Sequence, residues 1–381
     1  KIAELNNAKV DIIPDLSVNW YVDYNFAHIT EDTRLPVGTL RIPSFLIHND
    51  NTEVGSRVIL RNAIEAFKRE LRELLEKNPY IFEYLDIPSP DEIEDIVLTA
   101  ATELEFWVKT PDDKADREQL STSQILKEQY WKRTIGPVRT ALEKTLMVLD
   151  RYGFKVEMGH KEVGGIKAKL GSSGDYDHVM EQLEIDWEYS SALQAADNEN
   201  QVKYVVKDIF RAHGLDVTFM AKPMDGVAGN GEHTHMGVSA KLKNGKTVNL
   251  FAAKKPEEDF LNPIGFGALM GILKNYEVMN PFIASSNDAL NWLKPGFEAP
   301  VCIVTSLGHS AKVPSRNRTV LVGLVRDTKN PLSTRFELRA PNPKSDTYLV
   351  LACSYLAMLD GITAALTAEK TPKELEASLS K

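Results

Sequence analysis

Thr102-Glu103-Leu104-Glu105-Phe106-Trp107 alternates carboxylates with large apolar side chains. In a strand, residues two apart point to one face, so Glu103 and Glu105 share a side and Leu104 and Phe106 take the other. Neighbouring like charges repel unless a cation bridges them or they face water. The pattern recurs along the chain. Gly231-Glu232-His233-Thr234-His235 puts two histidines on one face, and Arg335-Phe336-Glu337-Leu338-Arg339 flanks one glutamate with two arginines. Glu157, His160 and Glu162 form a fourth polar group in residues 156–163. One strand with a wet polar face is ordinary. Four such strands, three of them mixing Glu with His or Arg, point to a cation site. Carboxylates with an imidazole suit Mg²⁺ or Mn²⁺, and arginines beside them suit a polyphosphate. Charge neutralisation and positioning are what phosphoryl transfer requires.

Around these strands the pattern predicts an α+β fold. Leu60, Ile64, Phe67, Leu71 and Leu74 recur at helical spacing, predicting a helix over 56–78 with Ser56 as its cap and Pro79 after its end. Residues 81–96 read as a connection and 99–109 as a strand. Residues 109–122 read as an exposed loop, 137–152 as a helix stopped by Gly153, and 154–163 as a strand. Residues 164–177, rich in Gly, Lys and Ser, read as a loop, and 181–213 as helical. Strands are expected at 217–222, 232–242, 318–325 and 334–339, and helices at 260–279 and 345–366. The turn at Ala228-Gly229-Asn230-Gly231 lets backbone approach a ligand closely, but matches neither a Walker loop nor a dinucleotide fingerprint.

The 381 residues are 43% hydrophobic, enough for a real core, and carry a formal charge of −9, which argues against nucleic acid as the main partner. The two cysteines, Cys302 and Cys353, both in apolar runs, give no disulfide framework or zinc spacing and suit a reducing cytosol. No run reads as a membrane span, and the first nine residues lack a signal-peptide core.

Eight ordered motifs resemble the glutamine synthetase family. Ile12-Ile13-Pro14-Asp15-Leu16-Ser17 resembles its Met-Pro-Asp strand, Glu103–Phe106 its Glu-x-Glu-Phe, and residues 157–163 its Glu-x-His-His-x-Glu-Val. Lys222-Pro223-Met224 with residues 229–236 resembles its Lys-Pro, Gly-rich and His-x-His-Met segment. Pro295-Gly296-Phe297-Glu298-Ala299-Pro300 resembles Pro-Gly-Tyr-Glu-Ala-Pro, and Ser315-Arg316-Asn317-Arg318 the Arg-Asn-Arg motif. Residues 335–339 and Leu359-Asp360-Gly361-Ile362 complete the series.

The resemblance implies a curved antiparallel sheet, flanked by helices, forming a two-ended funnel active site. ATP would enter one end and glutamate the other, with two or more Mg²⁺ or Mn²⁺ ions at the waist. Ammonia would displace phosphate from a γ-glutamyl phosphate to give glutamine. Glu105, Glu162 and Glu184 would hold the substrate-side ion, and Glu103, His233 and Glu337 the nucleotide-side ion. Glu181 and Glu188 remain alternatives to Glu184. Arg316 and Arg339 would contact the transferring phosphoryl group and glutamate, with Arg316 also reaching the nucleotide. Glu157, His235 and Arg335 would line the nucleotide end. Gly229 and the position of Trp292 would border glutamate, and Glu298 would sit on the closing flap. The resemblance also implies a cytoplasmic homo-oligomer of stacked hexameric rings, acting on small molecules, with no membrane or nucleic-acid partner. Residues 1–47 would be the remnant of an N-terminal β-grasp domain lying mostly before Lys1, and residues 48–381 the catalytic domain.

The sequence departs from the family pattern in three places. Trp292 stands where the family has a glutamate-binding arginine, and Ala228 where it has an asparagine. Residues 165–177 form an insertion between Glu162 and Glu184. The first two motivate an alternative, a ligase joining another amine or carboxylate; a non-catalytic homologue is a third reading.

Overall fold

The computed structural model describes residues 9–111, 133–162, 167–170, 176–223, 228–285 and 305–379. The chain divides into two compact units, each assembled from separated stretches.

The first unit comprises Lys1–Leu60, Phe106–Glu188 and Ala196–Thr218. It opens with β1 (Val10–Pro14) and β2 (Tyr21–Ile29), then β3 (Pro36–Arg41), β4 (Ser44–His48) and β5 (Asn51–Val54). β2 and β3 form a hairpin, and the others a sheet ordered β1-β4-β5. Both are joined to the start of α1 (Ser56–Lys77). Arg57 sits beneath Phe45, its guanidinium 4.4 Å from the ring centroid. Its Nη2 lies 2.7 Å from Asp15 and 2.8 Å from Asp197. Ser56 is the first helical residue rather than the cap; Gly55, at φ +92°, holds the position before it.

β6 (Ile93–Pro111) is a 19-residue strand, longer than its motif suggested, and its final residues belong to this first unit. The unit continues with α2 (Gly136–Arg151), β7 (Val156–Lys161), β8 (Lys167–Leu170) and β9 (Tyr176–Trp187). α2 ends where Gly153 adopts φ +83°, a left-handed stop. Two expectations are corrected here. The segment read as a loop contains β8, paired antiparallel to β9. The segment read as helical from residue 181 begins as strand, and the helix, α3, spans Ala192–Ala212. The reason is period-2 alternation: Leu183, Ile185 and Trp187 all bury on one face. β11 (Asp216–Thr218) then pairs with the end of β6, where Phe106 meets Phe210 edge-on at 5.5 Å.

The second unit comprises Arg61–Glu105, Tyr189–Ala195 and Phe219–Lys381. The start of β6 pairs with β12 (Thr234–Leu242), which pairs in turn with β17 (Asn330–Leu338) and then β16 (Val322–Asp327), all antiparallel. Short strands β10 (Ser190–Ser191) and β13 (Thr247–Asn249) flank β6 and β12, and β14 (Gly308–Ser310) pairs with β15 (Val313–Pro314). The 3-10 turns Pro79–Glu83 and Pro90–Glu92 fill the connection into β6.

The helices of this unit cover the apolar side of these strands. Tyr355, on α5 (Thr347–Thr367), packs on Phe67 and donates its hydroxyl to the Thr99 carbonyl at 2.6 Å. α5 crosses α4 (Pro263–Ile283) at glycines. A Cβ on Gly361 would lie 2.0 Å from the Gly267 carbonyl oxygen, so the two backbones touch where side chains are missing. α5 is long and apolar enough to cross a membrane, a stretch the sequence reading passed over; burial of residues such as Leu351 and Met358 accounts for that composition. A short helix, α6 (Pro372–Leu379), follows.

Candidate metal centre

In the second unit, register alone gathers the polar faces. Thr234 on β12 lies opposite Thr102 on β6. Beyond that pair, the Glu103 N–H donates to the His233 carbonyl at 3.1 Å and the Glu105 N–H to the Gly231 carbonyl at 3.3 Å. On the other edge of β12, His235 lies opposite Glu337 of β17. Because β12 is central, its odd-numbered residues meet same-face side chains from both neighbours. Glu232, of opposite parity, is fully buried and accepts a hydrogen bond from the Thr347 hydroxyl at 3.1 Å.

Glu103 is the hub. Its Oε2 lies 2.8 Å from His233 Nδ1 and its Oε1 2.8 Å from His235 Nε2. Burial would raise the Glu103 carboxyl, but the hydrogen bonds it receives from His233 and His235 hold it well below the usual carboxylate range. Glu337 Oε1 is 3.7 Å from His233 Nδ1 and is ion-paired with Arg339. Arg335 donates its Nε–H to His235 Nδ1 at 3.1 Å. Ligand atoms of Glu103, His233 and Glu337 all lie within 4.8 Å of one another. Bonds of about 2.1 Å from an ion give donor separations of about 3–4 Å. Two carboxylates and an imidazole at this spacing fit a divalent cation.

The turn before β12 closes this site from the backbone side. The Gly231 N–H donates to Glu105 Oε2 at 2.8 Å. A Cβ at Gly231 would stand 3.0 Å from Glu105 Oε1 and 3.1 Å from His233 Nε2. Asn230 donates its amide to the Met220 carbonyl at 2.9 Å, pinning the turn, and Gly229 is buried beside it. Arg316 is exposed in the loop after β15.

In the first unit, β7 and β9 build a second cluster. His160 lies opposite Glu184 in register, its Nε2 3.2 Å from Glu184 Oε1. Glu162 and Glu184 offer carboxylate oxygens within 4.8 Å of each other, and Asp186 joins His160 and Glu184 at the same spacing. All four are buried. Among the three candidate glutamates, Glu181 turns to the opposite face and pairs with buried Lys161, and Glu188 pairs with exposed Lys155 at 2.6 Å. Glu184 is the one beside His160. Sequence reading missed Asp186, whose i, i+2 spacing from Glu184 is a signal only on a strand. Glu157 does not join His160: it sits exposed at a register shift between Val156 and Met158. Trp292 and Glu298 lie outside the described residues.

The family model for "Glutamine synthetase, catalytic domain" matches residues 91–377. The chain belongs to the glutamine synthetase family. A glutamine synthetase of Clostridium saccharobutylicum is 36% identical over 237 residues, 61% of this chain and 45% of that protein. One from Sulfolobus acidocaldarius is 33% identical over 222 residues, 58% and 41% respectively. The chain thus matches less than half the length of these curated relatives. The Plasmodium falciparum glutamine synthetase structure aligns with a TM-score of 0.65 at 21% identity, covering 93% of this chain and 63% of that one. A GmaS/ADP complex aligns at 0.57 and 22% identity, covering 86% and 63%. The fold is therefore the α+β glutamine synthetase catalytic fold, with its antiparallel sheet and flanking helices, as the motifs implied.

Proposed function

We propose that this chain catalyses ATP-dependent ligation of ammonia to glutamate through a γ-glutamyl phosphate, giving glutamine. The observation that carries the reading is the Glu103–His233–Glu337 set, with Arg335 and Arg339 on the same strand face. Glu103, His233 and Glu337 would hold the nucleotide-side Mg²⁺ or Mn²⁺, and Glu105, Glu162 and Glu184 the substrate-side ion. Bound there, the ions neutralise phosphate charge and polarise the transferring group. Arg339, held by Glu337, would present a fixed cation to the phosphoryl group and glutamate, and Arg316 would join it from its loop. Arg335, His235 and Glu157 would face the nucleotide; the ADP in the GmaS complex supports a nucleotide at this fold. Glu298 would close over the acyl phosphate and exclude water, which protects that intermediate from hydrolysis. The same reading makes the protein a cytoplasmic, ring-shaped homo-oligomer of stacked hexamers.

One observation favours a second reading. Trp292 offers a single neutral N–H where the family has a bidentate arginine, and Ala228 offers no amide. A ligase for another amine or carboxylate fits that pair of changes. The test is phosphate release with ATP and Mg²⁺, using glutamate with ammonium, hydroxylamine or alkylamines. Ammonium-dependent turnover with glutamate supports the first reading. Turnover with an alkylamine alone supports the second, and no phosphate release with any pair refutes both.

A further inference from the structure

The polar chain around Glu103 has a direction. A guanidinium has no acceptor, so the 3.1 Å contact from Arg335 Nε obliges His235 Nδ1 to present its lone pair. The ring proton then stands on Nε2, 2.8 Å from Glu103 Oε1, and is donated there. Arg335 is itself oriented, because its Nη1 donates to the Ser333 carbonyl at 3.0 Å on the same strand. One oxygen of Glu103 is thereby anchored. The other, Oε2, is presented to the position it shares with His233 and Glu337.

We propose that Arg335 is a positioning residue for the ion: it fixes the tautomer of His235, which in turn holds Glu103 in its ligating orientation. This rests on the reading that Glu103 is an ion ligand, and it adds a nucleotide-independent task to a residue otherwise expected only at the nucleotide. Without Arg335, His235 can take the other tautomer and aim a lone pair at Glu103, which repels the carboxylate. Partners that orient metal ligands in this way are worth roughly 10- to 100-fold in metal affinity.

The experiment is Mn²⁺ titration of the full chain without nucleotide, by calorimetry or by the electron paramagnetic resonance of free Mn²⁺. The binding phase lost in Glu103→Gln identifies the site. Arg335→Gln should weaken that phase about 10-fold or more. His235→Leu should weaken it equally, and the double variant should fall no further. His235→Gln should stay near wild type, because its amide can donate to Glu103 while its carbonyl accepts from Arg335. Wild-type Mn²⁺ affinity in folded Arg335→Gln, with only ADP binding weakened, would overturn the proposal. Should Arg335→Gln fail to fold, the His235 pair decides, and equal affinity in His235→Leu and wild type is the overturning result. A wild-type chain with no Glu103-dependent Mn²⁺ phase instead removes the underlying ligand reading.

Discussion

Replacing Arg57 with leucine should cost the first unit about 3–5 kcal/mol, the usual penalty for removing one partner from a buried charge cluster. The magnitude follows from what the substitution leaves behind. Arg57 Nη2 reaches Asp15 at 2.7 Å, and Asp197 takes both Nη2 at 2.8 Å and Nε at 3.0 Å. Asp15 and Asp197 are 7% and 4% exposed, so neither carboxylate regains water when the guanidinium goes. With an effective dielectric of about 20, charges about 4 Å apart attract by about 4 kcal/mol each; the guanidinium's desolvation, no longer incurred, and the burial of leucine offset part of the two attractions lost, leaving about 3–5 kcal/mol. Arg57→Lys should fall between, keeping the charge but losing the two-pronged contact with Asp197. The pH dependence has a definite sign. Burial would raise the Asp15 carboxyl, but Ser17 and Arg57 lower it below its ordinary value. A depressed folded pKa stabilises fully above the unfolded value of about 3.9 and is lost as pH falls through the folded one. The Asp15→Asn penalty should therefore be complete at neutral pH and shrink below about pH 4. Urea unfolding followed by tryptophan fluorescence reads the change, since Trp20 donates to the Asp15 carbonyl at 2.7 Å. A loss under 1 kcal/mol for Arg57→Leu, or a penalty for Asp15→Asn that grows on acidification, would refute the reasoning.

Three further outcomes are expected. Gly361→Ala should destabilise by about 3 kcal/mol or more in thermal unfolding, because its Cβ would meet backbone of α4 at 2.0 Å, and overpacking against backbone has no rotamer to relieve it. Gly231→Ala should leave the melting temperature within a few degrees, yet weaken Mn²⁺ binding about 10-fold, by pressing on Glu105 and His233 rather than on the core. Trp292→Arg should lower the glutamate KM by about 10- to 150-fold with the ATP KM unchanged, the worth of a regained charged hydrogen bond, in steady-state kinetics. Lost glutamate turnover in an enzyme that already used glutamate well would count against it.

The parts of the site that were legible in the sequence share one property: each lies within a few residues on a single strand. Glu103 and Glu105, His233 and His235, and Arg335 to Arg339 announce a common face through spacing two, and strand pairing needed only to bring those faces side by side. Contacts across long separations left no such trace. Nothing near Arg57 in the sequence indicates Asp197, 140 residues away, and nothing marks the division between units, which falls inside β6 between Glu105 and Phe106. The segment 180–187 shows why propensity misled. Glu181, Gln182 and Glu184 favour helix in isolation, and a polar run before a true helix extends that reading backwards. In the fold both faces of this segment are buried: Leu183, Ile185 and Trp187 on one, and Glu184 and Asp186, beside His160, on the other. A helix would scatter those five side chains around its axis, whereas a strand sorts them into two opposed sets with different chemistry. Burial on both sides therefore overrides a propensity difference of a few tenths of a kcal/mol per residue, and Glu184, one of the carboxylates that made the segment look helical, is the one the strand brings beside His160.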